Sequence, residues 1–132
     1  MTSTSESSNR TTTEALQEWS LRTGIKVEIW AMPAKPLPTS IAEIVHGTIE
    51  EVLQEVERQA HARTVSIVLT VATGGLRLTI SDDGYGRASE AYEDRLHGRR
   101  VAFRSLGGAL SVNSVPGEGT TVRADIPAKA FA

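Results

Sequence analysis

Apolar side chains recur along this chain at two spacings, and each change of spacing marks a new element. Ile41, Ile44, Val45, Ile49, Val52, Leu53, Val56 and Ala60 fall three or four residues apart, which places them on one broad face of a helix over residues 39–62. Ser40, with Glu43 three residues later, supplies a capping-box start. Gly47 inside this helix costs about 1 kcal/mol relative to alanine, so the position suits a close contact. Ile25, Val27 and Ile29 alternate with Lys26 and Glu28, the period of a half-buried strand over 25–31. Two further β-rich runs, 64–72 and 76–81, flank Thr73-Gly74-Gly75 and predict an antiparallel hairpin. A last hairpin is predicted from 109–114 and 120–126, turning at Val115-Pro116-Gly117-Glu118-Gly119.

The remaining segments are less periodic. Residues 1–13 contain nine Ser or Thr and almost no apolar side chain, which predicts a flexible tail because little surface can offset the ordering entropy. Order is expected from about Glu14, with Leu16 and Trp19 on a short helix that ends at Thr23-Gly24. Pro33, Pro36 and Pro38 make the next stretch an extended connector. Residues 87–97 are polar and lack an apolar stripe, which reads as a loop or a frayed helix. Residues 98–106 read as a helix with Val101 and Leu106 inward, closed by Gly107-Gly108. Strands interleaved with two substantial helices predict one α/β (α+β) two-layer sandwich over residues 14–132.

Composition narrows the function classes. With 14 Lys plus Arg against 16 Asp plus Glu in 132 residues, the net charge of −2 argues against a dedicated nucleic-acid binder. The absence of cysteine excludes thiol catalysis, disulfides and thiolate metal sites. No apolar run approaches the roughly 20 residues of a membrane span, so no membrane contact is expected of this segment. The Ser/Thr-rich start lacks the apolar core of a secretory signal, which leaves the cytoplasm as the expected location.

Three places hold candidate chemistry. Asp82-Asp83-Gly84-Tyr85-Gly86 sits at a strand end, where a carboxylate can accept a hydrogen bond from an exocyclic amine and glycines allow close backbone approach. Taken alone, the same string also reads as an ordinary turn. Glu51 and Glu55, one helical turn apart at the border of the apolar face, form a carboxylate pair suited to a metal or to general-base work; alone they favour a solvated flank. Gly98, Gly107-Gly108 and Gly117-Glu118-Gly119-Thr120 each read separately as helix entry, helix end and hairpin turn. His46, His61 and His97 have no metal-ligand spacing.

In order and spacing, these elements resemble the ATP-binding catalytic domain of sensor histidine kinases, within the GHKL (Bergerat-fold) ATPases, and most of all the branch that partners LuxR-type response regulators. The likeness runs from about Glu14 to Pro127. The segment IEEVLQEVERQA resembles the family's N-box, DDGYG its D-x-G-x-G box, and GRRVAFRSLGGALSVNSVPGEGTTVRADIP the stretch from its second glycine box to the domain end. The resemblance implies a mixed sheet with helices on one face and ATP bound with magnesium between the helices and a lid over 87–97. It implies that Asp82 accepts the adenine amino group, that Gly84 and Gly86 let the backbone pass close to the nucleotide, and that Thr120 supports the adenine end. Gly98 would mark the junction of the lid with a helix whose N-terminal amides favour a phosphate. Arg58 would face the phosphates, Glu51 matches the catalytic N-box glutamate, and Glu55 would hold magnesium.

This chain departs from the family pattern at Glu55, where the family has Asn, and at Gln59, where a His usually follows. It departs again at Arg95 and Arg99, which stand for a glycine and a methionine. The family's phosphoacceptor His lies on a separate dimerisation domain, and through it phosphate reaches a response regulator. No such helix pair occurs here, so the chain alone is not expected to autophosphorylate. The alternative is a degenerate GHKL-fold interaction module with weak or no ATP binding; a third is a serine-kinase regulator of the anti-sigma type, which nothing in the residues favours.

Overall fold

The structure, a computed structural model, describes residues 4–59, 61–86 and 89–131, with side chains from residue 12 onward. Helix α1 spans Thr4–Thr23, strand β1 Lys26–Ala31 and helix α2 Thr39–Gln59. The hairpin β2 (Thr64–Ala72) and β3 (Gly75–Asp82) follows, then helix α3 (Glu90–Ser105) and a second hairpin, β4 (Ala109–Val115) and β5 (Gly119–Pro127). A 3-10 turn over Ala128–Phe131 ends the described chain.

The five strands form one sheet in the order β1-β2-β3-β5-β4. β1 and β2 are parallel, and α2 supplies the crossover that a parallel pair needs. All other pairings are antiparallel. The fold is therefore the mixed α+β arrangement that the alternating pattern predicts.

One face of the sheet is apolar because every second residue is. Val65, Ile67 and Leu69 of β2, Leu76, Leu78 and Ile80 of β3, and Val122, Ala124 and Ile126 of β5 are buried with Leu110 of β4. They meet Ile41, Val45, Ile49, Val52 and Val56 from the apolar face of α2, Leu16 and Trp19 of α1, and Phe103 of α3 in a single core. The residues between them, such as Arg77, Arg123 and Asp125, point away and are exposed.

Two expectations about helix limits are corrected. α1 reaches back to Thr4, into the span read as a tail over 1–13, of which residues 1–3 lie outside the described residues. Thr12 Oγ1 lies 2.7 Å from His46 Nε2 of α2, a tie between helices that composition does not reveal. α3 begins at Glu90, eight residues before the predicted start at Gly98. Ser89 caps it, accepting from the Tyr92 N–H at 3.1 Å, and Glu90 and Glu93 suit the positive N-terminus. Tyr92, Leu96 and Phe103 are buried at helical spacing, a sparse stripe within an otherwise polar segment. Ala60, expected on the α2 face, lies outside the described residues.

Candidate functional site

Asp82 is the last residue of β3, paired with Val65 on one side and Thr120 on the other. Its Oδ1 accepts from the Gly84 N–H at 2.8 Å, and a backbone hydrogen bond from Thr120 adds to this. Burial pushes the Asp82 carboxyl above its ordinary value; the two hydrogen bonds oppose that rise, and the charges of Asp83 and Glu55 add to it. Asp83 points elsewhere: its Oδ1 accepts from the Arg63 and Thr64 N–H groups at 2.7 and 2.9 Å, tying down the start of β2. One aspartate of the pair thus serves the scaffold and the other faces the site.

The loop after Asp82 lies directly on the β4–β5 turn. Gly86 has φ +73°, and a Cβ there would stand 2.0 Å from the Val115 carbonyl oxygen; one on Gly119 would stand 1.9 Å from that of Asp82. Both positions therefore need the missing side chain, and the Gly117 N–H closes the contact by donating to Tyr85 O at 2.9 Å. Thr120 is buried, its hydroxyl 3.0 Å from Ser114 Oγ. The exposed Tyr85 ring lies over His61 with centroids 3.9 Å apart.

The N-box carboxylates face α3 rather than solvent. Glu55 Oε1 accepts from Arg58 Nη1 at 3.0 Å and from Arg95 Nη2 at 3.1 Å, while Oε2 accepts from Gln59 Nε2 at 2.9 Å. Glu51 Oε2 accepts from Arg95 Nε at 3.2 Å, and its Oε1 lies 3.8 Å from Arg99. Gly47 makes room for this: a Cβ there would stand 2.5 Å from Arg99 Nη1, the close contact that its place in the helix suggested. The solvated flank that spacing alone favours is not found, since Glu55 is buried.

These two clusters are neighbours. A Cβ on Gly84 would lie 2.9 Å from Asp82 Oδ1 and 3.5 Å from Gln59 Oε1, and the same Gln59 binds Glu55. Tyr92 of α3 is buried within reach of the charges of Asp82, Glu55 and Glu51. Its phenol is held well above its ordinary value, chiefly by burial and then by those carboxylates. The structure thus brings together Asp82, Gly84, Glu55, Arg58 and Glu51, with Gly86 and Thr120 forming the hairpin side. Gly98 stands apart: it is an exposed position in the middle of α3, with open space around it, and the helix N-terminus it was expected to mark lies at Ser89. Residues 90–97 of the expected lid are helical, and residues 87 and 88 lie outside the described residues.

Periodicity singled out neither Tyr92 nor Arg95 for the site. The signal for Tyr92 was its spacing to Leu96 and Phe103; Arg95 was visible only as a departure from a resembled motif.

The donor set does not fit magnesium. That ion demands oxygen ligands in near-octahedral geometry; Glu55 has both oxygens engaged by two guanidiniums and an amide, and Glu51 is engaged by Arg95 and Arg99. Among the described residues no group of three or more His, Cys, Asp or Glu is placed to hold a metal ion.

No family model matches the chain. Over 118 residues, 87% of its length, it is 25% identical to the sensor histidine kinase LiaS of Bacillus subtilis, of which the match covers 32%. Over 104 residues it is 26% identical to the sensor histidine kinase YxjM of the same organism, covering 79% of this chain and 24% of that one. The chain therefore spans about a third or less of the curated relatives it matches. Among solved structures, the blue-light activated histidine kinase of Erythrobacter litoralis superposes with a TM-score of 0.70 at 25% identity, covering 90% of this chain and 41% of that one. The histidine kinase AdeS of Acinetobacter baumannii shares the fold at a TM-score of 0.65 and 14% identity, covering 92% and 63%. The relatives and structural neighbours of this chain are sensor histidine kinases and their kinase domains, and its mixed five-stranded sheet with helices is the fold it shares with the structural neighbours.

Proposed function

We propose that this chain is the ATP-binding domain of a two-component sensor histidine kinase, working in the cytoplasm on the His of a phosphoacceptor domain. In this reading ATP binds between the end of β3 and the α2–α3 interface, and phosphate passes to a His on a dimerisation domain and onward to a response regulator, of the LuxR type by sequence resemblance. The observation that carries it is Asp82: a half-buried carboxylate held by the Gly84 N–H at a strand end beside a glycine-lined loop. Burial disfavours its charge, and an exocyclic amine donor would satisfy the lone pairs that water reaches poorly. Gly84 puts no side chain beside Asp82, Gly86 lets the loop pack on the β4–β5 turn, and Thr120 is the cross-strand partner of Asp82. Arg58 offers positive charge to the phosphates, as positioning and electrostatics carry most of phosphoryl transfer. Glu51 is the candidate base.

The test is a calorimetric titration of a non-hydrolysable ATP analogue. Asp82→Asn keeps an acceptor for the Gly84 N–H but presents a donor to the adenine amine. It should weaken binding at least tenfold while leaving the fold intact; unchanged affinity contradicts the assignment.

One observation favours a second reading. Glu55 is closed off by Arg58, Arg95 and Gln59, as expected of a site converted to a structural ion-pair cluster in an interaction module. Folded protein with no affinity for the analogue at millimolar concentration would favour it.

A further inference from the structure

We infer that guanidinium groups replace the divalent cation in this site, so that the chain takes a nucleoside triphosphate without magnesium. The inference rests on the nucleotide reading above and concerns the phosphate end of the same site.

Two carboxylates, Glu51 and Glu55, face three guanidiniums, Arg58, Arg95 and Arg99, so the cluster carries one net positive charge. The layering is equally informative. The Glu55 and Glu51 side chains are 6% and 19% exposed, whereas those of Arg58, Arg95 and Arg99 are 56%, 30% and 34% exposed. The acids lie beneath and the cations form the solvent-facing layer. A divalent cation approaching Glu55 meets the two guanidiniums paired to it and must first displace the hydrogen bonds to both carboxylate oxygens. A triphosphate approaching the same surface meets planar donors suited to phosphate oxygens.

Arg95 is the central cation. Its Nε and Nη2 are fixed by Glu51 and Glu55, and its guanidinium carbon lies 5.9 Å from the centre of the Tyr92 ring. Held from three sides, it meets a phosphate without first losing the freedom of a long side chain. Its position relative to Asp82 follows from the series Asp82–Gly84–Gln59–Glu55–Arg95: hydrogen bonds join Asp82 to Gly84, Gln59 to Glu55 and Glu55 to Arg95, and Gln59 Oε1 lies 3.5 Å from where a Cβ on Gly84 would stand.

The test is titration of the full chain with the ATP analogue in excess EDTA and again in millimolar magnesium, for the natural protein, Arg95→Gln and Arg95→Lys. The natural protein is expected to bind in EDTA at least as tightly as in magnesium. Arg95→Gln should lose at least tenfold in EDTA and gain a dependence on magnesium, because Glu55 is then partly released; Arg95→Lys should recover part of the loss. Binding that vanishes in EDTA and returns with magnesium overturns the inference and leaves the nucleotide reading standing. Binding in neither buffer overturns both. Metal-independent binding that Arg95→Gln leaves unchanged overturns the role given to Arg95. Circular dichroism checks each variant's fold, and the two titrations of the natural protein decide the metal question without any variant.

Discussion

Arg95 reaches from α3 across to α2 and sets its guanidinium between Glu51 and Glu55, 3.2 Å from one carboxylate and 3.1 Å from the other. The two helices are thereby tied together at the point where the candidate site lies. Glu55 is buried, and its carboxylate oxygens accept from Arg58, Arg95 and Gln59.

Arg95→Ala should accordingly lower stability by about 1–3 kcal/mol, since it leaves a buried carboxylate with one guanidinium instead of two. Urea denaturation of the two proteins measures this directly. A loss below about 0.5 kcal/mol, the usual range for exposed pairs, would mean that the lock is superficial.

Asp82 sets function against stability. Its folded value is raised, so the folded state binds the proton more tightly than the unfolded chain does. Stability is then lost as pH rises from the ordinary Asp value, about 3.9, through the folded one. Asp82→Asn removes that penalty. Thermal melts should show the variant more stable than the natural protein at neutral pH, with the difference shrinking towards pH 3, even as nucleotide affinity falls.

His46 acts in the opposite sense. Burial lowers its value, with the charge of Glu50 opposing, and Thr12 lies within hydrogen-bond reach of its ring. Its contribution is present above the ordinary His value, about 6.5, and is lost as pH falls through the lower folded value. Melts at intervals from pH 8 to pH 5 should show this fall, and His46→Gln should flatten it.

Much of this architecture was legible in the residues, for identifiable reasons. The apolar faces of α2, β2, β3 and β5 are continuous, so their periods survive in the sequence, and the Thr73-Gly74-Gly75 turn left β2 and β3 one pairing. α3 was misread because only Tyr92, Leu96 and Phe103 of its sixteen residues are buried, too few to mark a period. Its first two turns are held by buried Tyr92 and Leu96 together with the ion pairs of Arg95, and the charged part has no repeat to read. Resemblance to the D-x-G-x-G box picks Asp82 over Asp83; the register, which faces Asp82 to Thr120 and turns Asp83 towards Arg63 and Thr64, supplies the physical reason. Arg58 and Gln59 are neighbours of Glu55 by helical spacing, but Arg95, its third partner, was invisible because it lies 40 residues away.

Two glycines give a paired prediction. Gly86→Ala combines a positive φ with a backbone clash against Val115, and should cost about 3 kcal/mol or more. Gly98→Ala meets open space within a helix and should stabilise by about 0.5–1 kcal/mol. Chemical denaturation of both variants checks the contrast. Reduced nucleotide affinity in folded Gly98→Ala would restore the phosphate role that its mid-helix position argues against.

The most direct test of the account is an NMR titration of the nitrogen-15-labelled protein with the ATP analogue, following backbone amides and the Arg Nε–H signals. Saturable shifts concentrated at Gly84, Gly86, Thr120 and the side chain of Arg95 are the predicted result. Shifts confined to the open face of the sheet around Arg77 and Arg123, or none at millimolar analogue, would contradict a nucleotide site between β3 and the α2–α3 interface.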